Sequence, residues 1–322
     1  MLVTPGAPDQ ECVGHEKAKK FLTESTILPL LLPEFFPLQT ATTNVLLFGP
    51  PGTGKTMLVK SLIHDLRGDA SNNFNVNFFS VSGSAVGNKY RGESEKVLRA
   101  VFDVARTHRA SPTSSEGGEE GPAISIVLLD EVDSLFGDAT NASSDESSLR
   151  LKTTLLTHLD GVAGAGGEGE NKVVVVGTTN LPFSLAEALL RRFNKRILID
   201  LPTPADRASI ISGCLSGVAV SPAVSPAAIA ERTEGWSGSD LTTLCRDIAM
   251  NPMRRYFERY DSVREIDEYN KRLVRDGLGG IAVEDIGEVT DADVQLALER
   301  VKPASKAGVE ECIRFAESFG SG

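Results

Sequence analysis

The stretch GPPGTGKT, Gly49 to Thr56, has glycines, a lysine and a threonine at the spacing of a phosphate-binding loop. Through Gly49, Pro50, Pro51, Gly52, Thr53 and Gly54 the backbone turns its N–H groups toward phosphate oxygens. The start of the next helix adds a favourable dipole. Lys55 is placed to reach the β- and γ-phosphates of ATP, and the Thr56 hydroxyl to ligate Mg²⁺. A second run, IVLLDE, ends in Asp130 and Glu131. A carboxylate at the tip of a buried strand is costly unless it serves a cation, so Asp130 is the expected second Mg²⁺ ligand. Glu131 is then the group to orient and deprotonate an attacking water. Asn180 closes GTTN either as a strand-end cap or as an amide that senses the γ-phosphate. Arg191 and Arg192, in EALLRRFNKR, either cap a helix C-terminus or balance charge on a departing phosphoryl group. If a neighbouring copy supplies them, hydrolysis requires assembly.

These residues need a scaffold. TNVLLFG, NFFSVSG, ISIVLLDE and KVVVVGTTN read as buried strands, each too apolar for a sheet with a wet face. TMLVKSLIHDL and ESEKVLRAVFDVAR read as intervening helices, the latter with a stripe of Val97, Leu98, Val101, Phe102 and Ala105. Upstream, GHEKAKKFLTESTIL reads as an amphipathic helix with Ala18, Phe21 and Leu22 on one face. This alternation predicts an α/β fold, a parallel sheet covered by helices on both faces. Past LPTPAD the strand signals stop and helical patterns such as DLTTLCRDIAM take over, with Leu241, Leu244 and Ile248 on one side. SPTSSEGGEEGP, GDATNASSDESS and AGAGGEGEN read as mobile connections. The expected division is a tail over 1–10, a nucleotide-binding α/β subdomain over 11–202, a helical lid over 203–304 and a terminal helix over 305–322.

The bulk composition narrows the partners. A net charge of -11 and a sequence pI of about 5.0 argue against broad nucleic-acid binding. The four cysteines and four histidines are scattered and suggest neither a disulfide framework nor a zinc site. TILPLLLPEFFPL is too short and too rich in proline to cross a bilayer. Against this acidic background, GNKYRGESEK sets Tyr90 between Lys89 and Arg91. Read from the residues alone, it is either a solvated turn or a small basic contact surface.

In order and spacing, GPPGTGKT, LLDEVDSL, GTTN, LLRRFNKR and GWSGSDLTTLCRDIAMNPMRR resemble the AAA family of ring-forming ATPases over nearly the whole chain. Within it the chain resembles the branch that holds katanin, spastin, fidgetin and Vps4: KYRGESEK is similar to the katanin catalytic subunit, and SLRLKTTLL, ALLRRFNKRILIDLP and VTDADVQLALERVKPASK look most like the katanin-like 2 subgroup. The resemblance implies a five-stranded P-loop domain with a helical lid, working as an ATP-dependent homo-hexamer. It adds Gly14, Met57 and Gly238 to the nucleotide-contacting positions and makes Arg191 and Arg192 fingers that act in trans, although Leu190 stands where many relatives carry a further arginine. It turns Lys89, Tyr90 and Arg91 into a pore loop that grips a threaded polypeptide, such as the acidic tails of tubulin. Arg150 is then either part of a second pore loop or a plain helix start. The implied setting is cytoplasmic and cytoskeletal, at microtubules of a spindle, centrosome or basal body. The implied partners are microtubules and a possible regulatory subunit, with no nucleic acid and no membrane insertion. The branch's N-terminal recruitment domain has no counterpart, so a catalytic fragment or a naturally short member is expected. CIRFAESFG is the branch's terminal helix, with Val309, Ile313, Ala316 and Phe319 as its expected packing face. A Vps4-like disassembler of membrane-remodelling filaments, or a nucleotide-gated scaffold on microtubules, shares the same engine.

Overall fold

The computed structural model describes residues 13–31, 35, 44–68, 75–83, 93–107, 123–136, 146–164, 171–260, 262–277, 281, 283–303 and 308–321. Lys89, Tyr90 and Arg91 lie outside them, as do most residues of the three Gly- and Ser-rich connections. The chain divides into two compact units, one running to Asp200 and resuming at Ala307, the other spanning Leu201–Lys306.

The first unit is built on five strands: β1 Val45–Phe48, β2 Asn75–Ser82, β3 Ala123–Asp130, β4 Lys172–Thr179 and β5 Lys195–Leu198. They pair in the order β2-β3-β4-β1-β5, every pair parallel. Parallel pairing needs crossovers, and the helices Lys55–Gly68, Glu93–Thr107 and Glu146–Gly164 supply them. Because both faces are covered, the strands carry apolar residues on both, as the continuous runs require. Leu46, Phe79, Val127, Leu129 and Val175 face one core with Phe102 and Leu159. Val45, Leu47, Ile126, Leu128 and Val176 face the other with Leu58 and Ile63. Parallel strands put all their C-terminal ends on one edge, where ligands of open α/β sheets bind. Phe48 is in register with Thr179, and Leu129 with Gly177, so the ends of β1, β4 and β3 line up there in that order.

Three local features depart from the sequence reading. The first helix is α-helical over Glu16–Leu22, widens to a π-turn at Thr23–Ile27, where the Thr26 hydroxyl donates to the Leu22 carbonyl at 2.5 Å, and is α-helical again over Leu28–Leu31. Such widenings are rare in helices. Ala18, Phe21 and Leu22 do share the buried face. In the helix Glu93–Thr107, Leu98, Phe102 and Ala105 are buried while Val97 is half exposed. The terminal helix Val309–Phe319 buries Cys312 and Phe315; of the expected face of Val309, Ile313, Ala316 and Phe319, Ala316 packs beside them while Ile313 and Phe319 are exposed. Its target explains the rotation. Phe315 meets the ring of Phe48 at the end of β1 (4.9 Å between centroids) and that of Phe183 (5.1 Å), both edge-on. Beyond the helix, Ser321 exchanges hydrogen bonds with the backbone of Arg196 on β5.

The second unit is helical. Its core gathers Ile211, Ile229, Trp236, Leu241, Leu244, Ile248, Val294 and Ala297, including the three positions expected on one side of Gly238–Phe257. Three of its helices open with the same device: Thr203, Ser237 and Thr290 pair reciprocally with Asp206, Asp240 and Asp293, satisfying N–H groups that the helix start leaves open. Cys214 and Cys245 meet in this core, and the hydrogen bond between their thiols pushes the Cys245 thiol well above the usual range.

Candidate nucleotide and hydrolysis site

The loop from Gly49 to Gly54 connects β1 to the helix Lys55–Gly68. Gly49 is glycine for a steric reason: a Cβ there would stand 2.1 Å from the carbonyl oxygen of Ile199. Gly52 and Gly54 take left-handed conformations, φ 77° and 92°, which fold the loop into the concave backbone that anions occupy. Lys55 is 7% exposed. Its ammonium donates to the carbonyls of Gly49 (2.9 Å) and Pro50 (2.8 Å). Burial lowers its pKa to about 8. Among the described residues its hydrogen-bond partners are neutral, these two carbonyls and the Thr53 hydroxyl at 3.5 Å, and a buried cation so held suits an anion.

Thr56 donates its hydroxyl to Asp130 Oδ1 at 2.9 Å. The same oxygen accepts a second hydroxyl, from Thr178, at 2.5 Å. Thr56 and Asp130 thus form an all-oxygen pair, one of them anionic, and this donor set fits a hard divalent cation such as Mg²⁺. Glu131 follows with φ 55°, a left-handed conformation uncommon for a residue with a Cβ. Its backbone N–H donates to the Thr178 hydroxyl at 3.1 Å, and its carbonyl accepts from both the N–H and the hydroxyl of Ser134. Asn180 sits just past β4, half-buried. The hydroxyl of Thr179 before it donates to Asp133 at 2.7 Å and accepts from the Leu181 N–H at 3.0 Å, fixing the turn around Asn180.

The remaining candidates are spread more widely. Arg191 and Arg192 follow the short helix Glu187–Leu190. Arg191 is exposed and paired with Glu187 at 2.5 Å. Arg192 reaches both carboxylate oxygens of Asp160, at 2.9 and 2.8 Å, and the Ala188 carbonyl. Their backbone is pinned from two sides, by the Asn44 amide on the Arg192 carbonyl and by the Arg196 guanidinium on the Leu190 carbonyl. Gly14 is left-handed (φ 81°), and the next residue, His15, meets the Thr53 carbonyl with Nε2 at 3.0 Å. Met57 is on the exposed side of the first helical turn, Arg150 is exposed on Glu146–Gly164, and Gly238 opens its helix in the second unit. Thr178, Thr179, Asp133, Ser134, Asn44 and His15 were not singled out from the sequence. A threonine in GTTN or a serine after an acidic run carries no signal until the fold brings it to a neighbour.

Residues 45–201 match the model for the ATPase family associated with various cellular activities (AAA), and residues 223–268 that for the AAA+ lid domain. A solved structure, the FIGL-1 AAA domain in complex with ADP, is 33% identical, superposes with a TM-score of 0.73 and overlaps 99% of this chain and 92% of its own. The chain belongs to the AAA ATPase family. Other relatives lie close by. A katanin p60 ATPase-containing subunit of Rattus norvegicus (A-like 1) is 36% identical over 310 residues, 95% of this chain and 57% of that protein. Its counterpart in Arabidopsis thaliana (A1) is 35% identical over 325 residues, 99% of this chain and 55% of that protein. A solved structure described as "Structural Basis for Katanin Self-Assembly" superposes with a TM-score of 0.68 at 31% identity, overlapping 95% of this chain and 88% of that one. The AAA chain thus spans a little over half the length of the katanin proteins it matches.

Lys55 gives this AAA site a measurable proton linkage. In the free protein its pKa is about 8, and a polyphosphate beside the ammonium raises it. Binding is therefore favoured while Lys55 is charged and weakens as pH rises through the free-state value. Net proton uptake on ADP binding is expected to be larger at pH 8 than at pH 7. Calorimetry in two buffers of different ionisation enthalpy reads this directly, and equal uptake at the two pH values would remove Lys55 as its source.

Proposed function

We propose that the chain is an ATP-hydrolysing protein remodeller of the katanin type. In this reading it works as a ring of identical copies, about six, that pulls acidic polypeptide tails through a central pore and so severs or remodels microtubules. The observation that carries the chemistry is the convergence of the phosphate loop, the Asp130–Glu131 pair and Asn180 on one edge of the parallel sheet. Katanin proteins are similar over nearly the whole chain, which supports the cargo.

The backbone of Gly49–Gly54 and the Lys55 ammonium bind and neutralise the β- and γ-phosphates. Thr56 and Asp130 would hold Mg²⁺, which would supply positive charge to offset that of the phosphates. Glu131 accepts the proton of the attacking water. Asn180 holds the γ-phosphate or that water, and Arg191 and Arg192 of a neighbouring copy offset the charge that develops as the phosphoryl group leaves. Gly14, Met57 and Gly238 contact the nucleotide. Lys89, Tyr90 and Arg91, with Arg150 as a second tier, meet the threaded tail. Each contact is weak, and a ring multiplies it by holding several copies at high effective concentration. An acidic protein grips an acidic tail if its positive charge is concentrated at that ring.

The test is steady-state ATP hydrolysis with no polymer, with intact microtubules, and with microtubules stripped of their acidic tails. Strong stimulation by intact polymer alone is expected, and Tyr90→Ala is expected to lose it while ADP still binds. Equal rates with intact and stripped polymer would leave the ATPase standing, remove tubulin tails as cargo and point to filament-forming membrane-scaffold proteins.

A further inference from the structure

Two acidic residues with different tasks stand side by side at the end of β3, and one hydroxyl touches both. Thr178, on the adjoining strand β4, is 2% exposed. It donates to Asp130 Oδ1 at 2.5 Å and accepts the backbone N–H of Glu131 at 3.1 Å. A threonine hydroxyl has one proton to give and lone pairs to receive, so both bonds form at once and in fixed directions. Position matters as much as chemistry. β4 lies between β3 and β1, with Val176 in register with Val45 on β1 and with Leu128 on β3. A hydroxyl near the end of β4 therefore lies between the acidic pair and the phosphate loop.

The Glu131 backbone needs such a holder. Its φ of 55° is sparsely populated for a residue with a Cβ and persists only where the surroundings impose it. Thr178 holds the peptide on its N-terminal side, while the Ser134 N–H (3.0 Å) and hydroxyl (2.7 Å) hold the carbonyl on the other. Between those clamps the Glu131 side chain is exposed, and its backbone sets the direction in which it leaves the strand end. Asp130 Oδ1 is held in turn by two hydroxyls, Thr56 and Thr178.

We propose that Thr178 is a positioning residue of the hydrolysis site, its single hydroxyl setting both the Asp130 carboxylate and the left-handed backbone that aims Glu131. This rests on the reading of Glu131 as the base. Valine has the shape of threonine without the hydroxyl, serine keeps the hydroxyl without the methyl, and alanine lacks both.

The experiment compares Thr178→Val, Thr178→Ser and Thr178→Ala in the full chain. It measures polymer-free ATP hydrolysis, ADP affinity, and hydrogen exchange of the peptide that carries the Glu131 amide. Thr178→Val is expected to lower kcat roughly tenfold or more, the effect of losing a hydrogen bond to a charged group, with the ADP Kd changed less than about twofold. Exchange at the Glu131 amide is expected to accelerate. Thr178→Ala should repeat both changes and Thr178→Ser should reverse them. In a Glu131→Gln background, Thr178→Val should cost markedly less, since the part of its effect that runs through Glu131 is already lost. Wild-type kcat in the valine variant, a serine variant as impaired as the valine one, or an undiminished loss in the Glu131→Gln background would each overturn the proposal. If the unmodified chain hydrolyses no ATP, the reading of Glu131 fails. The exchange rate then still decides whether Thr178 holds that amide, and unchanged exchange in both the valine and alanine variants would end the idea by itself.

Discussion

Glu131→Gln is expected to lower ATP turnover at least a hundredfold while nucleotide affinity stays within a few-fold of the unmodified protein. Glutamine matches glutamate in size, and its amide can still hydrogen-bond a water, but it cannot take the water's proton. A positioned general base typically contributes about 10² to 10⁴ in rate. The substitution leaves the surrounding geometry alone, because Glu131 is held by its backbone through Thr178 and Ser134. The groups assigned to the phosphates, Lys55 and the loop from Gly49, are likewise untouched. Turnover at saturating ATP and a separate ADP titration make the comparison. A variant that turns over within a few-fold of wild type would show that another group activates the water.

Replacing Arg191 by alanine is expected to abolish turnover almost as completely, by about 10³-fold or more if the arginine acts on a neighbour's phosphoryl group. The structure ranks the two candidates. Arg192 is tied within its own chain by a bidentate pair to Asp160 and by the Ala188 carbonyl. Among the described residues the Arg191 guanidinium pairs with exposed Glu187, and pairs of that kind contribute about 0–1 kcal/mol. Swinging Arg191 outward therefore costs little, and it is expected to show the larger loss. Mixing separates action between copies from action within one. Arg191→Ala keeps Glu131, and Glu131→Gln keeps Arg191, so a mixed assembly contains interfaces with both groups intact. Turnover recovered on mixing two inactive variants supports action between copies. Two variants that stay inactive in every ratio would place the arginine's role within its own chain.

The sheet and the phosphate site were legible in the sequence because their signals are local. Unbroken apolar runs mark strands covered on both faces, and GPPGTGKT and LLDE each carry their chemistry in consecutive residues. What escaped was set by distant partners. The terminal helix holds two adjoining apolar stripes, and periodicity alone does not choose between them. The ring of Phe48 at the end of β1 does, by receiving Phe315. Val97 shared a helical stripe with Leu98 yet remained at its exposed margin. Thr178 was one letter of GTTN until pairing with β3 set its hydroxyl beside both acids. Asn44 precedes β1 with no motif around it, and its amide nevertheless fixes the carbonyl of Arg192, far along the chain.

The first unit leaves off at Asp200 and resumes at Ala307. During synthesis, Phe48 emerges from the ribosome long before Cys312 and Phe315, which cover it. With translation at about 5–20 residues per second, the second unit takes on the order of ten seconds to make. Throughout that interval the ring of Phe48, at the end of the strand that leads into the phosphate loop, lacks the cover of Phe315. Completion of the nucleotide-binding body therefore waits until the second unit has been made, although most of that body is made first.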